Sequence, residues 1–387
     1  MNKIASFNLP NINYFGVNSS TKTAEIVKNL NGKKALIVTD IDLPATGIPD
    51  IIKYNLDKSD IKTSVWAGVH QNPNDVDIVN GVKAFKDGPF DIIVAVGGGS
   101  SMDCAKGIRV ILDNGGKIKD YEGMGKIKCQ KTPLVAIATT AGTSSEANKI
   151  AVITSTEIEG VKYKMGFVDW RLLPNASIND PLLTASLNPF YTAGTGMDVF
   201  THACEAIMSI ESTPFSDAMG LKAINLVSKW LKIAVDNGNN IEARANMIYA
   251  VLFAGIAFNT ALLGITHSLA HPIGAYYGVH HGMCNAIILP KVCRFNFHGS
   301  AEKLAMIAEA MGIDTAKMSV FEAANKAIEG IEKLLVEVKA PEKLSELGVG
   351  TDKIEIMSID AYNDFCAGTS PRRATVEDFK TIYESII

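Results

Sequence analysis

Short runs of β-branched and aliphatic residues alternate with helical stretches along the first 180 residues, and this alternation most constrains the fold. It is typical of βα units wound around a parallel sheet. After residue 181 the strand pattern ends, and long apolar or amphipathic helices follow one another. The sequence therefore predicts an α/β domain over residues 1–183 and an all-helical domain over residues 184–387. The four predicted strands are residues 35–39, 63–67, 92–96 and 134–138.

The helical half contains clear signals for the starts of its helices. Asn188 followed by Pro189 places a good N-cap before a proline at the first helical position, so we predict a helix from Pro189 to about Ser209. Ser319 and Glu322 have the spacing of a capping box, in which each side chain binds the backbone N–H of the other residue. The helical half is therefore expected to consist of separate, capped helices.

One uncharged segment, residues 247–265, is close to the length that spans a bilayer. Polar residues interrupt it, including Asn259 and Thr260, and Glu242 and Arg244 directly precede it. We therefore predict that this segment is a helix buried in a soluble core.

The charge balance excludes several classes of partner. Lys and Arg number 37 against 41 Asp and Glu, a net charge of -4, and no basic cluster breaks the mixture. A nucleic-acid or anionic-membrane binder would carry such a cluster. With 47% apolar and 20% charged residues, the chain has the composition of a globular protein. We expect a small-molecule partner, no nucleic acid and no membrane.

The cysteines and the amino terminus indicate the compartment. Six cysteines are scattered with no CxxC pair, as expected of reduced thiols in a cytosol. Residues 1–15 lack the continuous apolar stretch that a signal peptide needs. We therefore expect a cytoplasmic protein.

Polar and glycine-rich segments follow each predicted strand. Asp40, Asn72, residues 97–100 and residues 139–143 all stand where a strand ends. In open α/β sheets, ligands bind beyond the carboxyl ends of the strands. These segments are therefore expected to face one crevice.

Two of these segments suggest a nucleotide. The glycines of residues 97–100 precede a helix, so backbone amides and the helix amino end could bind a pyrophosphate. A plain βα turn is about as frequent for such a run, and it lacks the spacing of the G-x-G-x-x-G fingerprint. Asp40 could bind the ribose hydroxyls and repel a 2′-phosphate, favouring NAD over NADP. Judged alone, an aspartate there is more often a cap or turn residue.

Histidine placement is the strongest chemical signal. Asp198 and His202 are four residues apart on the predicted helix, which places carboxylate and imidazole on one face. Four further histidines fall within a short stretch of the sequence: His267, His271, His280 and His281. Three imidazoles and one carboxylate suit a divalent ion such as Fe(II) or Zn(II) with one position open to substrate. A lone histidine is usually structural, and spacing does not decide which two of these four bind metal.

Taken together, the motifs resemble the iron-containing (group III) alcohol dehydrogenases, a family that includes lactaldehyde reductase, 1,3-propanediol dehydrogenase and iron-activated ethanol dehydrogenase. The similarity runs along the whole chain. It implies the dehydroquinate-synthase-like fold, in which an NAD-binding α/β domain precedes a helical metal-binding domain and the active site lies in the cleft between them. The motifs are Val38-Thr39-Asp40, Asn72-Pro73, Gly97-Gly98-Gly99-Ser100 with Asp103 and Lys106, Thr139 to Thr143 with Ser145-Glu146, Thr195-Gly196-Met197-Asp198 with Thr201-His202, and His267 through His271-Pro272 to His281-Gly282.

The resemblance also implies roles for individual residues. The metal ligands would be Asp198, His202, His267 and His281, and His271 would be the histidine near substrate and nicotinamide. Phe258 and Cys366 would line the substrate pocket. The residues at positions similar to the family's NAD contacts are Asp40, Asn72, Gly98, Gly99, Ser100, Asp103, Thr139, Thr140, Thr143, Lys164, Leu183 and Leu187.

The implied reaction is reversible hydride transfer between a small primary alcohol or diol and NAD, with iron or another divalent metal, Zn(II) included, as Lewis acid and His271 passing the proton. A homodimer or larger homo-oligomer is expected from the resemblance. Three alternatives remain: a glycerol-dehydrogenase-like polyol oxidoreductase, a non-redox enzyme like dehydroquinate synthase, and a non-catalytic metal or nucleotide sensor. The dehydroquinate-type substrate is anionic, and residues 198–202 and 258–281 contain no Arg or Lys to bind it.

Overall fold

The computed structural model describes residues 6–158 and 161–387, and this part of the chain forms two compact units. The α/β unit comprises Asn8–Thr140 and Ser144–Ser186. The helical unit comprises mainly Ala141–Thr143 and Leu187–Ile387. The short segment Ala141–Thr143 thus belongs with helices that follow it much later in the sequence.

The α/β unit contains two sheets within the described residues. The larger has six parallel strands in the order β1-β9-β6-β4-β2-β3, and the smaller has the order β5-β8-β7. In the smaller sheet the last two strands pair antiparallel. The strands are β1 (Ile12–Phe15), β2 (Lys34–Asp40), β3 (Lys62–Val69), β4 (Ile92–Gly97), β5 (Gly123–Met124), β6 (Leu134–Ala138), β7 (Ile150–Ile158), β8 (Val161–Val168) and β9 (Ala176–Asn179).

Alternate residues of the central strands enter two different apolar cores. Leu36 and Val38 of β2 pack in one core, and Ala35 and Ile37 pack in the other. A parallel sheet is normally covered on both faces, which explains why these strands are continuously apolar. The helices of this unit are α1 (Thr23–Asn29), α2 (Ile48–Asp57), α3 (Asp75–Asp87) and α4 (Gly99–Asn114).

The four predicted strands are confirmed as parts of β2, β3, β4 and β6. The other strands were not predicted. The β7–β8 pair was missed because it forms a separate hairpin outside the βα alternation. β1 and β9 pair with each other although they lie at opposite ends of the unit's sequence, so no local pattern marks them as partners.

The described part of the helical unit contains no strand, in agreement with the prediction. Its first helix begins at Pro189, and the Asn188 side chain accepts a hydrogen bond from the Tyr191 N–H, as the capping signal indicates. The capping box of Ser319 and Glu322 is also present. The helices are α5 (Pro189–Met208), α6 (Pro214–Asp236), α7 (Ile241–Ala261), α8 (Ile265–Tyr277), α9 (His281–Phe295), α10 (Phe297–Ala310), α11 (Val320–Glu337), α12 (Ile354–Asn363) and α13 (Val376–Ile386).

The prediction of one helix over residues 247–265 is wrong at its carboxyl end. α7 ends at Ala261 because Leu262 has a φ of +62°, in the left-handed region, and α8 begins only at Ile265. By length and composition α7 could cross a membrane, but 56% of its most apolar window is buried inside the protein. Its residues Met247, Val251 and Ala254 pack in the same core as α5 and α6. It is therefore a core helix.

Candidate active site

α5 carries the first two predicted metal ligands into the interior of the helical unit. Every residue from Thr192 to Met208 is buried, so Asp198 and His202 are shielded from bulk solvent. A buried carboxylate and imidazole are tolerated only when other polar groups or a metal ion bind them. Burial lowers the pKa of His202 to about 4, so its ring is neutral at neutral pH. Neutral imidazole is the form that binds metals.

Three imidazole nitrogens surround one oxygen of Asp198. The distances from Asp198 Oδ1 are 3.9 Å to His202 Nε2, 4.0 Å to His267 Nε2 and 3.9 Å to His281 Nε2. The rings of His202 and His267 stack with centroids 4.8 Å apart. The fold therefore brings together the four predicted ligands from α5, α8 and α9. This donor set and its burial fit a divalent transition metal.

A glycine allows α9 to approach α5 closely enough for this arrangement. A Cβ atom on Gly282 would lie 2.2 Å from the backbone oxygen of Gly194 and 3.2 Å from Asp198 Cβ. Because the first of these atoms is backbone, it cannot be moved by a side-chain rotation. Gly282 directly follows His281, so the contact determines how far that ligand lies from Asp198.

Glu205 is a functional candidate that the sequence analysis missed. Its Oε2 lies 2.6 Å from His267 Nδ1, and its carboxylate also accepts the N–H groups of Thr266 at 2.6 Å and Gly264 at 3.0 Å. This contact places the proton of His267 on Nδ1 and leaves Nε2 to face Asp198. Burial lowers the pKa of His267, but the hydrogen bond and charge of Glu205, together with the charges of Asp198 and Asp364, raise it above its usual value. The available signal was its position on α5, three residues after His202.

The adjacent histidines at the start of α9 point in different directions. The His280 ring packs against Tyr191, with centroids 5.2 Å apart, and against Phe190 at 6.1 Å. His281, in contrast, joins the Asp198 group. The structure thus shows that His281, and not His280, lies with Asp198, a choice that residue spacing alone left open.

His271 lies beside this group and has its own carboxylate partner. Its Nδ1 is 2.7 Å from Asp364 Oδ2, and its ring stacks on His281 with centroids 5.4 Å apart. Asp364, also missed from sequence, accepts the Cys366 N–H at 2.8 Å. Burial would raise the pKa of Asp364, but the charge of His271 and their hydrogen bond lower it. The two predicted pocket residues also lie here. The Phe258 ring stacks on His202 with centroids 4.6 Å apart, and Cys366 contacts Asp364, the partner of His271.

In the α/β unit, two predicted cofactor loops meet at the carboxyl ends of the neighbouring strands β4 and β6. The Thr139 N–H donates to the Gly97 carbonyl at 3.0 Å, and a Cβ on Gly98 would lie 3.1 Å from Thr140 Cγ2. Asp40 accepts the hydroxyl of Ser101 at 3.2 Å and the N–H of Leu43 at 2.8 Å. Its carboxylate lies beside the start of α4, where it could bind the hydroxyls of a ribose. The same carboxylate also binds the backbone of the turn that follows β2.

A buried polar cluster supports these loops. Lys106 Nζ donates to Ser145 Oγ at 2.8 Å and to the Ile150 carbonyl at 2.6 Å, and burial lowers its pKa to about 8. Asp103 accepts the Ser145 hydroxyl at 2.5 Å, and burial raises the pKa of Asp103 while Lys106 and Lys164 oppose this. Asp103 thus joins α4 to the segment that follows β6, and its predicted contact with NAD stays a prediction.

The remaining predicted cofactor residues are distributed over both units. Asn72 follows β3 with a φ of +57°, and Leu183 packs in the core of the α/β unit. Thr143 and Leu187 belong to the helical unit, where the Leu187 carbonyl accepts a hydrogen bond from Arg244 at 3.1 Å. Gly99 and Ser100 form the first residues of α4.

Comparisons with known proteins cover the entire chain. Residues 10–181 match the family model "Iron-containing alcohol dehydrogenase", and residues 192–387 match "Fe-containing alcohol dehydrogenase family, C-terminal". The chain is 41% identical to 1,3-propanediol dehydrogenase of Klebsiella pneumoniae over 97% of both chains. It is 36% identical to NAD-dependent methanol dehydrogenase of Bacillus methanolicus, over 99% of this chain and 100% of that protein. A solved 1,3-propanediol oxidoreductase superposes with a TM-score of 0.96 at 39% identity, over 100% of both chains.

Proposed function

Because the chain belongs to the iron-containing alcohol dehydrogenase family and is therefore an oxidoreductase, we propose that it interconverts small primary alcohols or diols and their aldehydes with NAD. The observation that carries this proposal is the set of three imidazole nitrogens within 4.0 Å of Asp198 Oδ1, which is buried except for the partly exposed His281. Similarity to enzymes named for 1,3-propanediol and methanol supports a small, uncharged substrate.

Asp198, His202, His267 and His281 would hold the metal, with iron as the family's ion. A divalent ion bound there supplies Lewis acidity, which lowers the pKa of an alcohol hydroxyl without a strongly basic side chain. Burial keeps the ring of His202 neutral. Glu205 binds the Nδ1 atom of His267 and so directs the Nε2 atom of that ring inward.

His271 is proposed to pass the alcohol proton to solvent. Asp364 binds its Nδ1, which leaves Nε2 able to accept a proton. We predict that His271→Gln lowers kcat about 100-fold, in the range of general acid–base effects, while the enzyme retains its metal. Steady-state kinetics and metal content per chain check both parts. Loss of metal together with activity would show instead that His271 is needed for metal binding.

The α/β domain, residues 1–183, is proposed to bind NAD through the loops around Gly98 and Thr140, while residues 184–387 hold the metal. Asp40 would bind the ribose hydroxyls and exclude a 2′-phosphate. Phe258 and Cys366 would contact substrate. The cysteines of the described chain are all free thiols, which supports a reducing, cytoplasmic location. A homodimer or larger homo-oligomer completes the proposal.

The test is metal removal and replacement. Enzyme stripped with a chelator should form no NADH from ethanol, propanol, 1,2-propanediol or 1,3-propanediol, and Fe(II), Zn(II) or Mn(II) should restore the reaction to different extents. Undiminished activity without metal would contradict the proposed centre. Metal and NAD binding with no net NADH formation would indicate non-redox chemistry or a sensor, and a strong preference for glycerol would indicate a polyol enzyme.

A further inference from the structure

The side chain of Asn285 contacts three of the four proposed metal ligands, Asp198, His267 and His281. Asn285 stands one helical turn after His281 on α9 and is fully buried. Its Nδ2 is 2.7 Å from Asp198 Oδ1, 3.2 Å from His267 Nε2 and 3.1 Å from His281 Nε2. One amide nitrogen thus contacts three atoms that would otherwise bind the metal.

Those three atoms need a positively polarised neighbour. His267 Nε2 is an acceptor because Glu205 binds the Nδ1–H of the same ring. Acceptor lone pairs that converge in a buried space repel one another, and this repulsion is strong where no water screens it. The two N–H groups of the Asn285 amide reduce the repulsion by donating to Asp198 Oδ1 and to His267 Nε2. The positively polarised N–H groups of the amide therefore stabilise these atoms in the same sense as a cation would, but more weakly.

The other end of the same amide is poorly accommodated. Within the described part of the chain, Asn285 Oδ1 is buried and accepts no hydrogen bond. A buried carbonyl oxygen without a donor is unfavourable, so the orientation of the side chain is explained by its Nδ2 contacts. Amide N–H groups cannot face a cation, because both are positively polarised. A hydrogen bond to His267 Nε2 and a metal ion compete for the single lone pair of that nitrogen, so we expect metal binding to displace the Nδ2 group.

From these contacts we propose that Asn285 is a positioning residue that keeps the metal-free ligand set assembled and is displaced when a divalent ion binds. The proposal rests on the metal centre proposed above. It predicts that Asn285 stabilises the metal-free enzyme more than the loaded enzyme. By linkage, removing its N–H donors should then strengthen metal binding, because less stabilisation is lost when the ion enters.

The experiment compares Asn285→Leu, similar in shape but without polar atoms, with the wild-type full-length enzyme. Both are stripped with a chelator, and Zn(II) affinity is measured by competition with a chromophoric chelator. Thermal unfolding is followed with and without Zn(II). We expect Asn285→Leu to bind Zn(II) about tenfold more tightly. Its metal-free Tm should fall by about 3 °C, with a much smaller change in the loaded form.

Two further variants make the result decisive. Asn285→Ala also lacks the N–H donors and adds no charge, so it should shift both quantities in the same direction, which keeps the test available if the leucine variant folds poorly. Asn296→Leu changes another buried asparagine, one whose Oδ1 contacts Ser370, and should lower the Tm of both forms equally. Equal shifts or weaker Zn(II) binding in the Asn285 variants would overturn the inference. A wild-type enzyme that binds no Zn(II), Fe(II) or Mn(II) would instead overturn the proposed centre.

Discussion

Glu205 binds the Nδ1 atom of His267, and this contact decides which nitrogen of the ring faces Asp198. The two side chains come from different helices, α5 and α8. Both are almost completely buried. Carboxylates behind metal-binding histidines raise the basicity of the ligand and fix its orientation. Glu205 therefore contributes to the proposed centre without a place among its four ligands.

We predict that Glu205→Gln weakens Zn(II) binding by about 10- to 100-fold, because the amide keeps the shape of the side chain but removes its charge. Chelator competition on metal-stripped enzyme measures the affinity. Glu242→Gln, at an exposed acid in the first turn of α7, is the control. An unchanged affinity in the Glu205 variant would show that the carboxylate only caps the start of α8.

Glu146 predicts a pH dependence of stability in the α/β unit. Burial raises its pKa from 4.5 to about 7, so the folded protein keeps a proton that the unfolded chain releases above its own pKa. Stability linked to this group is therefore complete below pH 4.5 and decreases as the pH rises to about 7. Glu146→Gln should remove the decrease, a gain of up to about 3 kcal/mol at pH 8.

Urea unfolding at pH 5 and pH 8 checks this expectation. The midpoint of Glu146→Gln should exceed that of the wild type at pH 8 and approach it at pH 5. Exposed Glu242→Gln serves again as the control. The same gain at both pH values would mean that the substitution acts through packing rather than through the proton.

Residues could be predicted from the sequence where their spacing follows one helix. Asp198 and His202 are such a pair, and resemblance extended the set to His267 and His281. The partner of His271 is different, because Asp364 lies 93 residues away and only the packing of the chain brings them together. The contacts of Asn285 with Asp198 and of Glu205 with His267 likewise join residues that are far apart in the sequence. That the four predicted ligands bind metal stays a prediction, although the fold brings them together.

At the scale of elements, α9 contributes to both apolar cores of the helical unit. Met283 and Ala286 pack with α5, whereas Cys284 and Ile288 pack with α8 and α13. Its amino end bears His281. Small changes in the position of α9 relative to α5 therefore act directly on the ligand distances.

We predict that Gly282→Ala separates these two helices, because the new Cβ would lie 2.2 Å from the backbone oxygen of Gly194. Overpacking of this kind costs about 1–3 kcal/mol. Zn(II) affinity should fall together with the Tm. Gly299→Ala on α10 is the matched control, since its nearest neighbour would be Pro371 Cβ at an ordinary 3.7 Å. Wild-type Zn(II) affinity in Gly282→Ala would disprove this dependence.

At the scale of the whole molecule, the proposed NAD contacts lie mainly in one unit and the proposed metal ligands in the other. We predict that Asp198→Asn abolishes Zn(II) binding and leaves NAD affinity nearly unchanged, and that Asp40→Gly raises the use of NADP relative to NAD without loss of metal. Titrations of each variant with Zn(II), NAD and NADP measure this. If NADP use does not rise in Asp40→Gly, the ribose assignment is incorrect.

The order of strands and helices, the helix caps and the one-turn pairing of Asp198 with His202 are local properties, so the sequence alone determined them through periodicity, propensity and spacing. Side chains distant in the chain obey no such rule. Which histidine turns towards Asp198, which carboxylate supports each ring, and the entry of Asn285 among the ligands depend on how α5, α8 and α9 pack. Close packing and the need to satisfy buried polar groups decide those contacts, and they act only once the tertiary structure has formed.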